Sequence, residues 1–126
     1  MTDVLKNKTF ETPMIEVNKA ERKIVIKGSS NLIDPSNFYQ DLSNRIEDYL
    51  LEFKNFLVLD FYFDYLNTSS SKWMFHLLKN LQVKHAGKKI IKVNWYFEDD
   101  DEIIQETGEI FQSLLNLPFS IIALPG

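Results

Sequence analysis

Cysteine is absent from this chain of 126 residues, and glycine and proline occur only four times each. Without cysteine the chain forms no disulfide, no thiolate metal site and no thiol nucleophile. No apolar run approaches the roughly 18 residues that a membrane span needs, and the polar start of the sequence lacks the apolar core of a signal peptide. We therefore expect a cytoplasmic protein with no direct membrane insertion.

Acidic residues outnumber basic ones, so that the formal net charge is −4 and the isoelectric point is near 5.1. Nucleic-acid binding needs a basic footprint, whereas the basic residues here are scattered and the acidic ones concentrate in residues 98–102. We expect no nucleic-acid partner. The composition is that of a soluble globular protein, and the length predicts a single domain over residues 1–126, with the polar residues 1–9 loosely ordered.

Hydrophobic periodicity predicts the element order β-β-α-β-α-β-α-β. The predicted strands are 14–17, 23–27, 56–66, 89–97 and 119–124, and the predicted helices are 35–53, 69–85 and one that runs from a cap at Asp99 or Asp100 to about Leu115. The polar segment 18–22 makes the first two strands a hairpin. Helices between successive strands imply parallel crossovers. The fold class is therefore α/β, a mixed sheet with an N-terminal β-hairpin and helices packed on it.

The same patterns predict which side chains are buried. The near-continuous apolarity of residues 56–66 is typical of a central strand covered on both faces. In the second and third helices, spacings of three and four predict an inward stripe formed by Trp73, Met74, Leu77, Leu78, Leu81, Ile103, Ile104, Phe111 and Leu114. Gly87 is expected to end the second helix in a left-handed conformation.

A run of four hydroxyl side chains, residues 68–71, lies between a predicted strand and a predicted helix. Serine and threonine are favoured at helix starts because their oxygens accept hydrogen bonds from free backbone N–H groups. One cap needs one hydroxyl, so four exceed that need. The alternative is a phosphoacceptor, because a helix N-terminus also favours a bound anion. The spacing alone leaves both interpretations open.

The residues argue against an enzyme. Asp60 and Asp64 lie four apart on one strand, on the same face at a period of two, but nothing nearby supplies a nucleophile or a metal-binding histidine. Acids at 98–102 suit a helix start and lack the spacing of a calcium loop. His76 and His85 are expected at the surface. The glycine-rich phosphate-binding and nucleophile-elbow motifs are absent from the sequence.

Separated segments of the chain together resemble the SiaC family of bacterial regulatory phosphoproteins. These segments are the Asn-Thr-Ser-Ser-Ser-Lys run at 67–72, the Val-Asn-Trp-Tyr-Phe segment with its acidic continuation at 93–101, and Leu-Pro-Phe at 117–119. The resemblance covers nearly the whole chain. It implies a fold similar to the STAS domain of anti-sigma-factor antagonists, in agreement with the element order.

The resemblance implies a phosphorylation switch without a cofactor, a metal or catalytic residues. A dedicated serine/threonine kinase modifies a threonine of the hydroxyl run, and a phosphatase of the PP2C type resets it. The unmodified form binds and activates a diguanylate cyclase, which raises cyclic di-GMP and promotes biofilm formation. The motif places the phosphorylated residue at Thr68. Its neighbours, implied to lie at the partner interface, are Asn67, Ser69, Ser70, Ser71, Lys72 and Trp73.

Two other functions stay open. The first is a STAS-like antagonist that sequesters an anti-sigma kinase and so frees a sigma factor. The second is an enzyme that uses Asp60, Asp64 or the acids at 98–102. A sigma regulator captured from cell extract would indicate the first, and turnover that is lost on Asp60→Asn would indicate the second.

Overall fold

The computed structural model describes residues 2–53, 56–88 and 90–126. Within these residues the chain forms six strands and three helices. The strands are β1 Thr2–Lys6, β2 Met14–Asn18, β3 Lys23–Ser30, β4 Phe56–Leu66, β5 Ile90–Glu98 and β6 Phe119–Leu124. The helices are α1 Ser36–Phe53, α2 Thr68–His85 and α3 Glu102–Leu114. Among the described residues, no helix combines the length and apolarity that crossing a bilayer requires.

The six strands form one sheet in chain order, β1 to β6. The first two pairings are antiparallel, and the pairings β3–β4, β4–β5 and β5–β6 are parallel, with a helix in each connection. The predicted order is therefore confirmed from Met14 onwards. The strand start predicted at Lys89, like Met1, lies outside the described residues.

All three crossovers advance one strand in the same direction, and right-handed crossovers then place every helix on the same face of the sheet. The burial pattern agrees, because alternate residues of the central strands are buried. The buried residues of that face include Ile24, Leu59, Phe61, Val93 and Trp95. The hydrophobic core is therefore a single layer between the sheet and the helices.

The prediction that β4 is covered on both faces is wrong. Its residues Val58 and Tyr62, which alternate with the core residues, are only half-buried. On that outer face Tyr62 stacks on Tyr96 of β5, with ring centroids 4.2 Å apart. The outer face also carries polar residues such as Lys92 and Asn94. The sequence of β4 is almost continuously apolar because Phe56, Val58 and Tyr62 occupy outer positions as well.

Residues 2–6 form β1, although we expected residues 1–9 to be loosely ordered. β1 pairs antiparallel with β2, from Thr2 opposite Asn18 to Lys6 opposite Ile15. Its side chains at residues 2–4 are exposed. The order of this segment comes from backbone hydrogen bonds to the free edge of β2, and a polar local sequence gives no sign of such a tertiary partner.

The third helix packs directly against Trp95 of the sheet. The indole is fully buried and its Nε1 donates to the backbone carbonyl of Ile104 at 2.9 Å. One turn later, a Cβ on Gly108 would lie 2.4 Å from Trp95 Cδ1, a distance that real Cβ atoms do not adopt. Gly108 is therefore required by the close approach of α3 to the tryptophan ring.

We expect Gly108→Ala to destabilise the protein. In an ordinary helix interior this change stabilises by about 1 kcal/mol, but here the added methyl group overlaps a buried ring, and overpacking costs roughly 1–3 kcal/mol. Urea denaturation measures the difference. Gly126→Ala is the matched control, because its added Cβ would meet its nearest neighbour at an ordinary 3.6 Å. A Gly108→Ala protein as stable as wild type would contradict this account of the contact.

Candidate functional site

The four hydroxyl side chains at the start of α2 differ sharply in exposure. Thr68 is exposed, Ser69 and Ser71 are half-buried, and Ser70 is fully buried. Ser70 lies four residues before Met74, so it extends the buried stripe of α2 by one turn. Thr68 makes no side-chain hydrogen bond within the described ranges. Thr68 is therefore the most exposed residue of the run.

The cap of α2 is Asn67 and not a hydroxyl. The Asn67 side-chain oxygen accepts from the Ser70 backbone N–H at 2.8 Å, and its Nδ2 donates to the carbonyl of Leu32 at 2.8 Å. The Asn67 backbone N–H donates to the carbonyl of Ser30 at 3.0 Å. Asn67 therefore joins the end of β4, the start of α2 and the segment after β3. Thr68 therefore does not cap α2.

A buried chain of hydroxyl groups holds the same junction from inside. The Tyr39 hydroxyl donates to Ser30 Oγ at 2.8 Å, and Ser30 Oγ donates to Ser70 Oγ at 2.7 Å. Burial raises the pKa of Tyr39 to about 12, so its hydroxyl stays protonated as a donor at neutral pH. Sequence reasoning missed the link from Ser30 and Tyr39 to Ser70, because 40 and 31 residues, respectively, separate them from it along the chain.

A groove of about 390 Å³ opens beside Thr68, between α2 and α3. We call it the α2–α3 groove and define it by Thr68, Lys72, Phe75, Thr107, Ile110 and Leu114. Its floor is formed by Phe75 and Phe111, whose ring centroids are 5.6 Å apart. Sequence reasoning did not predict this groove, although the spacing of its residues on α3 is visible in the sequence.

Three side chains expected to point inward are instead exposed. They are Trp73, at 37% exposure, Ile103, at 75%, and Leu114, at 58%. Their apolar character suggested burial, but the buried stripes of the two helices are set by Ser70, Met74 and Leu77 in α2 and by Ile104, Gly108 and Phe111 in α3. Trp73 does not line the α2–α3 groove. Lys72 does, and its side chain is exposed.

Asp60 and Asp64 are not brought together as a pair. Asp60 is buried, lies 3.1 Å from Lys23 Nζ and accepts from Asn94 Nδ2 at 2.9 Å. A β-bulge shifts the register between β3 and β4 at Asp64, so that Asp64 is exposed and lies 3.9 Å from Lys8 Nζ. The two carboxylates therefore differ in burial and in partner, and they are not arranged as an acid/base pair.

The acids at 98–102 start α3, as expected, but the cap is Asp101 and not Asp99 or Asp100. The Asp101 side chain accepts from the Ile104 backbone N–H at 3.1 Å. Of the two histidines, His76 is exposed as expected, whereas His85 is largely buried and pairs with Glu47 at 2.7 Å. In the described parts of the chain, no cluster of three or more histidines or carboxylates is arranged to hold a metal ion.

The geometry defines a class of protein: a mixed α/β domain that presents an accessible threonine at a helix start, beside an apolar groove. Over residues 6–124 the sequence matches the family described as SiaC family regulatory phosphoprotein. The chain belongs to this family, which confirms the resemblance seen in the three sequence segments.

Similar proteins come from Pseudomonas aeruginosa. An uncharacterized protein of strain UCBPP-PA14 is 28% identical over 123 residues, with 98% of both chains covered. The structure of SiaC has a TM-score of 0.81 and 26% identity, and covers 97% of this chain and 99% of its own. A crystal structure of the diguanylate cyclase SiaD in complex with its activator SiaC gives a TM-score of 0.80 and 27% identity, covering 93% and 96%.

Loss of the Asn67 cap should destabilise the fold at the site. We expect Asn67→Ala to lower the free energy of unfolding by about 1–2 kcal/mol, because the Ser70 N–H and the Leu32 carbonyl lose their partners. Asn67→Asp keeps the hydrogen-bond acceptor and loses the donor, so its free energy of unfolding should lie between those of wild type and Asn67→Ala. Asn37→Ala is the control, since Asn37 is an exposed asparagine in the first turn of α1. Stability is measured by urea denaturation. If Asn67→Ala and Asn37→Ala had the same free energy of unfolding, the assignment of Asn67 as the cap of α2 would be contradicted.

Proposed function

We propose that this chain is a non-enzymatic, cytoplasmic signalling protein whose unphosphorylated form binds and activates a diguanylate cyclase and thereby controls cyclic di-GMP and biofilm formation. Family membership and the SiaD complex of a similar protein support the proposal. The observation that carries it at the residue level is the exposure of Thr68 beside a groove, while the capping function falls to Asn67.

The switch residue in this proposal is Thr68. A cognate serine/threonine kinase transfers a phosphoryl group to its hydroxyl oxygen, and a PP2C-type phosphatase hydrolyses the ester. The exposed side chain needs no local unfolding to enter a kinase site. Ser70, by contrast, is buried and its Oγ accepts a hydrogen bond from Ser30, so its modification would break the hydroxyl chain.

The phosphate would lie in favourable surroundings on this chain. Thr68 is the first residue of α2, where the helix dipole favours an anion. Its backbone N–H and that of Ser69 have no hydrogen-bond partner in the described part of the chain. Lys72 lies one turn further along, at the spacing at which opposite charges pair on a helix. The phosphorylated state is therefore stable without a rearrangement of the fold.

Release of the cyclase would follow from the charge that the phosphate brings. Phosphorylation adds about −1.5 to −2 charges, and burying a dianion in a packed interface is unfavourable. A loss of 1.4 kcal/mol already weakens binding tenfold. Thr68→Asp carries only about half of the charge, so it should mimic release in part.

We expect Thr68→Ala to abolish phosphorylation by the cognate kinase and to leave the protein permanently able to activate the cyclase. Intact-mass measurement and peptide mapping of protein from cells with and without the kinase test this directly. Ser69→Ala is the matched control, since it removes a neighbouring, half-buried hydroxyl and should be phosphorylated like wild type. Full phosphorylation of the Thr68→Ala protein would show that the acceptor has been placed at the wrong residue.

The partner is identified separately, by pull-down from cell extract with wild-type and Thr68→Ala protein. A protein with a diguanylate cyclase domain, retained by both and released on phosphorylation of wild type, is the expected result. Retention of an anti-sigma kinase and no cyclase would instead assign the chain to a sigma-factor cascade.

A further inference from the structure

We propose that β6 is a dimerisation edge, at which two copies of the chain pair antiparallel through their β6 strands and join their sheets across a two-fold axis. The inference is independent of the phosphorylation switch, because Thr68 follows β4, and β5 lies between β4 and β6. It is carried by the unprotected backbone of β6 and by the one register in which that backbone matches a second copy of itself.

The two edges of the sheet differ in how they are protected. An exposed edge strand invites pairing with another chain, and proteins discourage such pairing with charged side chains, proline or a β-bulge. β1 contains Asp3 and Lys6, and its register shifts between Val4 and Lys6. β6 has the sequence Phe-Ser-Ile-Ile-Ala-Leu, which contains neither a charged residue nor a proline. β6 is therefore the edge that is open to a further strand.

The backbone groups that face the open edge can be assigned from the pairing of β6 with β5. The Val93 N–H donates to the Pro118 carbonyl at 2.9 Å, so the even-numbered residues of β6 are the ones bonded to β5 in this parallel pairing. The odd-numbered residues Phe119, Ile121 and Ala123 point away from β5. In the described part of the chain no strand lies beyond β6, and the backbone groups of Ile121 and Ala123 have no partner.

Two positions on this edge cannot take part in ordinary pairing. The Phe119 carbonyl already accepts a hydrogen bond from Gln112 Nε2 at 2.8 Å. Pro125, the next odd-numbered residue after β6, has no N–H to donate. One end of the edge therefore has an acceptor that is already occupied, and the other end lacks a donor. A partner strand fits best if it places these two positions opposite each other.

A second copy of β6 does this in one antiparallel register. Residues that lie opposite each other in such a pair exchange both of their N–H···O bonds. When Ile122 lies on the two-fold axis, Ile121 lies opposite Ala123 of the second copy, and Phe119 lies opposite Pro125 of the second copy. The occupied carbonyl then faces the residue without an N–H, and the groups of Ile121 and Ala123 are all paired.

The neighbouring registers lose this match. If one strand moves by two residues in one direction, the Ala123 N–H faces the occupied carbonyl of Phe119. If it moves by two residues in the other direction, the Ile121 carbonyl faces Pro125 and receives no hydrogen bond. The edge is therefore complementary to itself in a single register, and this is the reason for assigning it to a second copy.

The side chains near the axis are compatible with this pairing. Residues 117–126 contain no charged side chain, so no like charges meet across the axis. Ile122 lies on the outer face of the sheet, opposite Tyr96 of β5, and is half-buried. On the axis it would face the same residue of the second copy, and cross-strand aliphatic pairs of this kind stabilise a sheet.

The first test measures self-association by sedimentation equilibrium, in which the 14.8 kDa chain should become a dimer as concentration rises. Ala123→Pro should weaken the dimer about tenfold or more. The Ala123 N–H faces the open edge, so proline removes no hydrogen bond of the monomer but removes one donor from each half of the dimer. Ala123→Val is the matched control, because it keeps the N–H and should dimerise within about twofold of wild type. Circular dichroism checks that both variants fold.

The second test examines the register by exchanging charges at Ile122. Ile122→Lys and Ile122→Glu each place two like charges directly opposite each other, so each variant alone should be monomeric. An equal mixture of the two should form a dimer, because opposite charges then face each other across the axis. This rescue requires Ile122 on the axis, and it tests the inference even if Ala123→Pro does not fold.

Amide hydrogen exchange measured by NMR reports the same edge residue by residue. The N–H groups of Ile121 and Ala123 should become protected as concentration rises, whereas the Ile122 N–H, which is bonded to β5, should be protected at every concentration.

Wild type that stays monomeric up to about millimolar concentration, Ala123→Pro that dimerises like wild type, or a mixture without rescue would each overturn the inference. Protection of Ile121 and Ala123 that appears only when the cyclase is added would assign the edge to the cyclase and also overturn it. Thr68→Ala should dimerise like wild type, so these results leave the proposed switch to its own test.

Discussion

The hydrogen bonds of Asn67 are the constraint on which the functional end of the molecule depends. Through its side chain and backbone, this one residue ties the segment after β3 to the first turn of α2. Beneath it, the Tyr39–Ser30–Ser70 chain satisfies three buried hydroxyl groups that would otherwise be costly to bury. The start of α2 is therefore fixed by the Asn67 hydrogen bonds and by the buried hydroxyl chain, and Thr68 has a fixed position on the surface of the protein.

This arrangement decides what kind of switch Thr68 can serve. Thr68 belongs to neither hydrogen-bonded set, so a phosphoryl group can be added without breaking either. The proposed switch therefore works through charge at a preformed surface and needs no second conformation of the fold. A modification at Ser70 would do the opposite, because it would separate Ser30 from its partner and disturb the packing of α2.

Local pattern predicted most of the fold, because the strands from β2 onwards and the three helices carry their periodicity in their own sequence. β1 escaped prediction because its order comes from pairing with β2. The errors in burial have a different cause. Trp73, Ile103 and Leu114 were assigned to the interior for their apolar character, whereas helical phase, followed from Met74 back to Ser70 and from Phe111 back to Gly108, places them outside. Thr68 came from the family resemblance, and the structure adds its exposure.

Two of the three sequence segments that carry the family resemblance hold the two helices that form the α2–α3 groove. The Asn-Thr-Ser-Ser-Ser-Lys run fixes α2, because Asn67 caps it and Ser70 anchors it. The Val-Asn-Trp-Tyr segment fixes α3, because Trp95 donates to the Ile104 carbonyl and meets the bare face of Gly108. Since the groove lies between these two helices, its width depends on both anchors. A change in the anchor of α2 or in the anchor of α3 would shift one helix relative to the other and alter the width of the groove. Selection for a groove of one width would therefore act jointly on the two segments, which lie about 25 residues apart in the sequence.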